Sequence, residues 1–227
     1  MEEHDPAKYQ AYSECFKGEE MITPGSYDEL SPETRELLAR DFAPYDKIDT
    51  GTIINILTFI GTTLVKVIKG GQIVNHNAYG CVWPKDADWT QFTWKKQAIY
   101  VFNYKKTIMF GSLTAVDAVI AVSFKYDGQY DGKGKFLGNI QVVAEKCMTA
   151  FSHSISVTAE LPPSSMENLS PQTPQNPVAG IDLNLSWLVS YMFPSMSVYK
   201  YQIQGFGRMI DRYTGQEPFK PTIIDLK

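Results

Sequence analysis

Residues 53–68 read IINILTFIGTTLVKVI, and three structures compete for them: a membrane span, a buried helix, or strands. A spanning helix needs about 20 predominantly apolar residues. This run carries Asn55, Thr58, Gly61, Thr62, Thr63 and Lys66 within a similar length, so it does not qualify as a span. Its Ile, Val and Thr content, the central Gly61 and the following Gly70-Gly71 fit two strands, or a helix-to-strand passage, better than one helix. A strand is expected over 62–68; over 52–60 helix and strand are closely matched.

The chain on either side supports the strand reading. Residues 97–104 (QAIYVFNY), 107–113, 118–126, 139–144, 153–161, 183–191 and 198–206 are short, β-branched or aromatic, and separated by Gly, Asp, Pro and Ser. In ISVTAEL the apolar Ile155, Val157, Ala159 and Leu161 share one parity, as a sheet with one buried face requires. Residues 107–124 approach spanning length, but Asp117 and the Gly111-Ser112 break predict two strands instead. Upstream, Ser31 as cap, Pro32 in the first turn and Glu33 stand ahead of TRELLARDF and predict a short amphipathic helix over 31–42, ended by Pro44. The expected class is α+β and β-rich, mostly antiparallel sheet or sandwich with a short N-terminal helix.

Residues 1–30 show little apolar periodicity and read as a flexible acidic arm. Residues 31–227 read as a single β-rich globular domain. Two loops interrupt it. YDGQYDGKGKFLG, residues 126–138, has two Asp-Gly turns and reads as a mobile hairpin tip or longer surface loop. PPSSMENLSPQTPQNP, residues 162–177, has five prolines and reads as an exposed excursion.

The 227 residues carry a net charge of −4, which argues against a surface devoted wholly to nucleic acid or anionic lipid. That charge is unevenly distributed: residues 1–59 contribute −8, residues 60–150 contribute +5 and residues 151–227 contribute −1. An acidic arm thus stands beside a body with a mildly basic middle segment. Cys15, Cys81 and Cys147 are too far apart for a zinc or redox motif, and their odd number suggests a reducing compartment. The opening MEEHDPAKYQ lacks the pattern of a secretory leader, so secretion by signal peptide is not expected.

Material for catalysis is thin. His76 and Cys81 would need two further ligands to hold a metal, and a structural histidine is the simpler reading. His153 lies in a strand-like run and His4 in the arm, which suggests no triad. GFGRMI lacks a third glycine and GKGKFLG has no helix after it, so neither reads as a phosphate loop. No enzyme activity, cofactor or metal is expected, although an enzyme with a dispersed carboxylate site would leave no local trace.

Lys95, Lys96, Lys105, Lys106, Lys133 and Lys135 recur through the middle segment, interleaved with Trp83, Trp89, Phe92, Trp94 and Tyr104. Cations beside aromatic rings suit the headgroup level of an anionic membrane, and also single-stranded nucleic acid. Lysines on exposed strand edges that block aggregation give the same pattern. In the arm, Tyr27 to Leu30 forms a Tyr-x-x-Leu that a host sorting adaptor could capture as an extended peptide.

The acidic arm, the helix SPETRELLARDF, Tyr45-Asp46 and the run INILTFIGTT follow one another in an order that resembles the core entry of rhabdovirus matrix proteins. NHNAYGCVW and NYKKTIMF are similar to that family's central sheet more loosely. That family's arm is rich in lysine where this one is acidic, and PPxY and PTAP budding signals are absent here. The resemblance implies a matrix-type structural protein of a virion, found in the host cytoplasm and at the inner face of the host membrane. It would self-associate beneath an anionic membrane and link it to the viral nucleocapsid, with the six lysines touching lipid and Tyr27 to Leu30 serving in budding. The alternative is a soluble β-sandwich binding or capsid/tail module with no membrane role.

Overall fold

The computed structural model describes residues 18–40, 57–61, 64–69, 72–73, 78–84, 87, 89–150, 153–173, 175–190 and 194–226. The protein is a β-rich α+β fold in which two antiparallel sheets face each other and one short helix packs on the outside.

The front sheet is built around three long strands joined as a meander: β7 (Lys96–Ile108), β8 (Leu113–Tyr130) and β9 (Lys133–Thr149). On the β9 side, β5 (Ala78–Pro84) and then β2 (Leu57–Gly61) extend it. On the β7 side, β1 (Glu19–Pro24) and β15 (Thr222–Asp225) share one edge, while β6 (Phe92–Thr93) pairs with the end of β8. The back sheet runs in the order β14 (Arg208–Asp211), β13 (Ser195–Gln204), β12 (Ala179–Ser190), β10 (Ser154–Glu160), β3 (Leu64–Lys69) and β4 (Gln72–Ile73), with β11 (Glu167–Asn168) also on β12.

The stretch 53–68 therefore supplies strands to both sheets. β2 pairs with β5 in front and β3 with β10 behind, so the chain changes sheet between Gly61 and Leu64. Residues 52–56 lie outside the described residues. No helix among the described residues is long and apolar enough to cross a membrane.

Strand parity sorts the core. On β7, Ala98, Tyr100, Phe102 and Tyr104 face the back sheet, and Tyr104 stacks on Trp187 with ring centroids 4.4 Å apart. On β10, Ile155, Val157 and Ala159 are buried in alternation, as ISVTAEL predicts. The opposite parity of β7, Ile99 and Val101, joins Ala121 and Val143 on the outer face of the front sheet, where Leu30 and Leu38 cover them.

Leu38 belongs to α1 (Pro32–Ala39), which the sheet holds at both ends. Ser31 caps it by accepting from the Thr34 N–H at 3.2 Å, and donates its own N–H and hydroxyl to the Glu145 carboxylate at 3.1 Å each. At the other end the Gln97 amide donates to the Leu38 carbonyl at 2.7 Å, and the Asn139 amide to the Arg40 carbonyl at 2.8 Å. Eight helical residues rise about 12 Å, close to the roughly 13 Å from Gln141 to Glu145 along a strand. The helix stops at Ala39 rather than near residue 42 because side chains of the front sheet take its last carbonyls.

One expected strand is corrected and two expected loops are resolved more finely. Residues 107–113 do not form a strand: Ile108 closes β7, residues 109–112 turn, and Leu113 opens β8. Residues 126–138 are mostly strand: Asp131-Gly132, with φ of 50° and 69°, make the tight hairpin turn that Asp-Gly favours. Asp127-Gly128 is an irregularity inside β8, where Trp94 lies so close to Gly128 that an added Cβ would sit 2.4 Å from its ring. The excursion 162–177 is exposed over much of its described length, as expected, but is pinned at several points. Met166 is buried, β11 pairs with β12, and the Asn168 side chain accepts from the Ser170 and Val178 N–H groups at 3.0 Å each. Its prolines fall outside the two paired residues.

Candidate functional site

The six lysines do not form one patch. Lys96 and Lys106 lie near opposite ends of β7, roughly 33 Å apart at about 3.3 Å per residue. Lys95, Lys96, Lys133 and Lys135 gather at the end where β7 and β9 begin. There Lys135 pairs with Asp127 at 3.0 Å and lies over the Phe206 ring, and Lys96 approaches Asp225 at 3.9 Å. Lys105 and Lys106 occupy the other end, and their adjacent positions point them to opposite faces. Lys105 is exposed on the outer face and makes no ion pair among the described residues.

Lys106 is only 3% exposed and turns inward. Its ammonium meets Glu20 Oε1 at 3.1 Å and the Ser195 hydroxyl, while Glu20 also accepts from Ser195 at 3.2 Å and from Ser197. This group ties β1 of the front sheet to β13 of the back sheet. Lys106 therefore cannot touch lipid, because it is one half of an internal ion pair.

Of the aromatic residues interleaved with the lysines, the four with described side chains pack into the core. Phe92 stacks between Trp83 and Trp94 with centroids 5.3 Å from each, and Tyr104 lies between the sheets. Tyr27 and Leu30 are held in place too. Residues 27–29 form a 3₁₀ turn capped by Ser26, Arg35 sits over the Tyr27 ring, and Leu30 is 2% exposed beneath α1. Capture of this motif as an extended peptide would require that turn to leave the sheet. The remainder of the arm, residues 1–17, lies outside the described residues. Residues 19–24 form β1, an edge strand whose sequence EEMITP gives little apolar alternation to read.

What the strands do assemble is an apolar end. The β7–β8 turn carries Met109 and Phe110, both with positive φ, 53° and 55°, followed by Gly111 at 85°. Hairpins that need two such residues normally use Asn-Gly or Asp-Gly. A bulky side chain in the left-handed region costs about 1–2 kcal/mol per residue. Phe110 is nonetheless 88% exposed, and Met109 is exposed beside it. The turn thus bears a conformational cost and an exposed apolar surface together. Four residues back along β7, Met21, Lys105, Asp117 and Met148 stand side by side on β1, β7, β8 and β9, with both methionines exposed.

Beneath that row lies a groove of about 530 Å³ lined by residues including Leu30, Asn103, Lys105, Asp117 and Lys146. Lys146 is already engaged with Asp117 at 2.8 Å, and Glu145 with Ser31. The charges nearest the apolar end therefore largely neutralise one another. Comparison of the chain with protein-family models, curated proteins and solved structures gives no match.

His153 is buried, with Nδ1 2.6 Å from the Ala150 carbonyl oxygen. Burial pushes the Cys81 thiol up to about 12 and the Cys147 thiol to about 11. His76 lies outside the described residues. Among the described residues no group of three or more His, Cys, Asp or Glu side chains is placed to hold a metal ion.

Among the described residues, part of β13 has no neighbouring strand on its outer side. β12 pairs with β13 throughout, but β14 covers only Tyr201–Gln204, and the Lys200 carbonyl takes the Arg212 N–H at 2.8 Å. By strand alternation the backbone groups of Val198 and Met196 point the same way as those of Lys200. They have no partner among the described residues. Met196 is 64% and Val198 44% exposed, with Leu188 opposite Met196 on β12.

Proposed function

We propose that the chain is a non-enzymatic, matrix-type structural protein that assembles from copies of itself beneath a membrane and bridges it to a nucleocapsid, in the manner implied by its resemblance to viral matrix proteins. The observation that carries this reading is the open edge of β13. Natural sheets protect their edges with charges, prolines or short strands. Among the edge strands with described side chains, β1 has two glutamates and Pro24, β15 has Asp225, and β14 is four residues long. Residues 195–199, SMSVY, have none of these devices.

An uncharged edge with exposed apolar side chains accepts another strand by main-chain hydrogen bonding. When the partner is a different face of the next copy, the contact is heterologous and propagates into a sheet or filament. The test is sedimentation velocity of the full chain over a concentration series, with electron microscopy of the product. Wild type is expected to form large assemblies, and Met196→Lys with Val198→Lys to abolish them while circular dichroism is unchanged. Assembly that ignores both lysines, or a wild-type chain that stays monomeric, defeats the reading.

A further inference from the structure

We infer that the β7–β8 turn is the membrane-insertion point of this protein, with Phe110 and Met109 entering the interface and Lys105 meeting anionic headgroups behind them. The inference rests on the matrix-type reading, and it moves lipid contact from the six-lysine set to a turn that bears no lysine.

The shape of the end selects a bilayer as the occupant. Phe110 projects from a hairpin tip, so it is convex and isolated, whereas a protein partner would have to supply a matching pocket. A lipid interface needs no such pocket and accepts amphipathic or apolar side chains at headgroup depth. The positions behind the tip agree with the layering of a membrane. Interfacial segments bury about 5–10 Å into the headgroup and acyl boundary. Lys105 lies on the strand roughly 13 Å behind the level of Met109 at about 3.3 Å per residue, which leaves its long side chain able to reach back to the phosphates. Met21 and Met148, exposed in the same strand row as Lys105, add flexible apolar flanks to the tip.

The strained backbone is an independent observation that also points to use of the turn. Residues held at positive φ without glycine persist where the surroundings over-determine them, and such positions cluster at functional sites. Here the flanking strands fix the turn, with Lys106, one residue before its last β7 pairs, buried in the Glu20 ion pair.

Flotation of the full chain with phosphatidylserine-containing vesicles tests the assignment. Phe110→Ser should lower the partition coefficient about 30-fold, equivalent to the roughly 2 kcal/mol of one buried phenyl group. Ile223→Ser, an exposed apolar residue on β15 at the far end of β7, should leave binding unchanged. A Phe110→Trp variant should bind as well as wild type and shift its emission to the blue on vesicles. Undiminished flotation of Phe110→Ser, or an unshifted emission spectrum when the Phe110→Trp variant is bound, overturns the inference. Assembly is scored without lipid, so failure at Phe110 leaves the β13 result standing; the emission shift of Phe110→Trp at saturating lipid reports insertion whether or not copies assemble.

Discussion

Removing Glu20 should destabilise the protein far more than removing Lys106, although they form one ion pair. Lys106 is almost fully buried, with its ammonium 3.1 Å from Glu20, whose side chain is 18% exposed. Deleting one member of a buried pair typically costs about 3–5 kcal/mol because the other is left uncompensated. Glu20→Ala leaves the ammonium with only a serine hydroxyl, and the partial exposure of the site places the expected loss near the lower figure, about 3 kcal/mol. In Lys106→Met an apolar chain replaces the stem, while Glu20 keeps the Ser195 and Ser197 hydroxyls and some water, so the loss should be about 1 kcal/mol. The double variant should fall short of the sum by about 2 kcal/mol, as expected for groups in contact. Urea denaturation of the full chain measures all four forms through midpoint shifts at constant slope. The pH dependence supplies a second readout. Burial alone would raise the Glu20 carboxyl, but hydrogen bonds from Ser197 and Lys106, the Lys106 charge and the Ser195 hydroxyl together hold it below its ordinary 4.5. A depressed folded pKa means that the contribution is present above the unfolded value and lost as pH falls through the folded one. The stability gap between wild type and Glu20→Gln should therefore narrow in acid below about pH 4. Equal losses for Glu20→Ala and Lys106→Met, or strict additivity, would refute the asymmetric burial argument; loss of vesicle binding in a stable Lys106→Met would refute the internal assignment of this lysine.

Two further outcomes bear on the core. Cys81 and Cys147, whose thiols are raised to about 12 and about 11 mainly by burial, should resist iodoacetamide at pH 8 in the folded protein and react only after denaturation, as read by mass spectrometry of their peptides. Gly205→Ala should lower the melting midpoint clearly, because the new Cβ would stand 2.1 Å from the Lys135 carbonyl oxygen and relief requires backbone movement of the kind that costs about 1–3 kcal/mol; Gly132→Ala, with open space around it, should cost less and only through its positive φ.

Local chemistry made parts of this fold legible. Ser31, Pro32 and Glu33 announce the helix because capping is settled within four residues, and Ile155, Val157 and Ala159 reveal a buried face because a single strand carries its own parity. The end of α1 was not legible, since Gln97 and Asn139, which take its last carbonyls, lie about 60 and 100 residues away. The same limit governs the site. Lys105 and Lys106 are equivalent as letters, but the parity of β7 sends one outward and the other into an ion pair with a residue 86 positions earlier. Leu30 looked available in an acidic arm until Leu38 and the outer face of the front sheet closed over it. The apolar tip was hidden for a different reason: the Gly111-Ser112 break marks a turn between two strands, but nothing in the letters says that bulky Met109 and Phe110 belong to that turn rather than to the strand before it.

That hidden turn changes how membrane attachment should respond to salt. A six-lysine patch would release counterions and weaken steeply as salt screens it. Around the apolar end Lys105 and Lys146 are balanced by Asp117 and Glu145, so its net Coulomb attraction to an anionic surface is small. Phe110 contributes about 2 kcal/mol, which screening does not touch. One subunit would thus hold a membrane at only about 2 kcal/mol, weaker than millimolar affinity. Stable attachment then depends on assembly, because linked copies convert many weak insertions into one strong avidity. The β13 edge and the Phe110 turn are coupled in this way without touching. Met196→Lys with Val198→Lys should weaken flotation by dispersing the copies, and raised salt should weaken it much less.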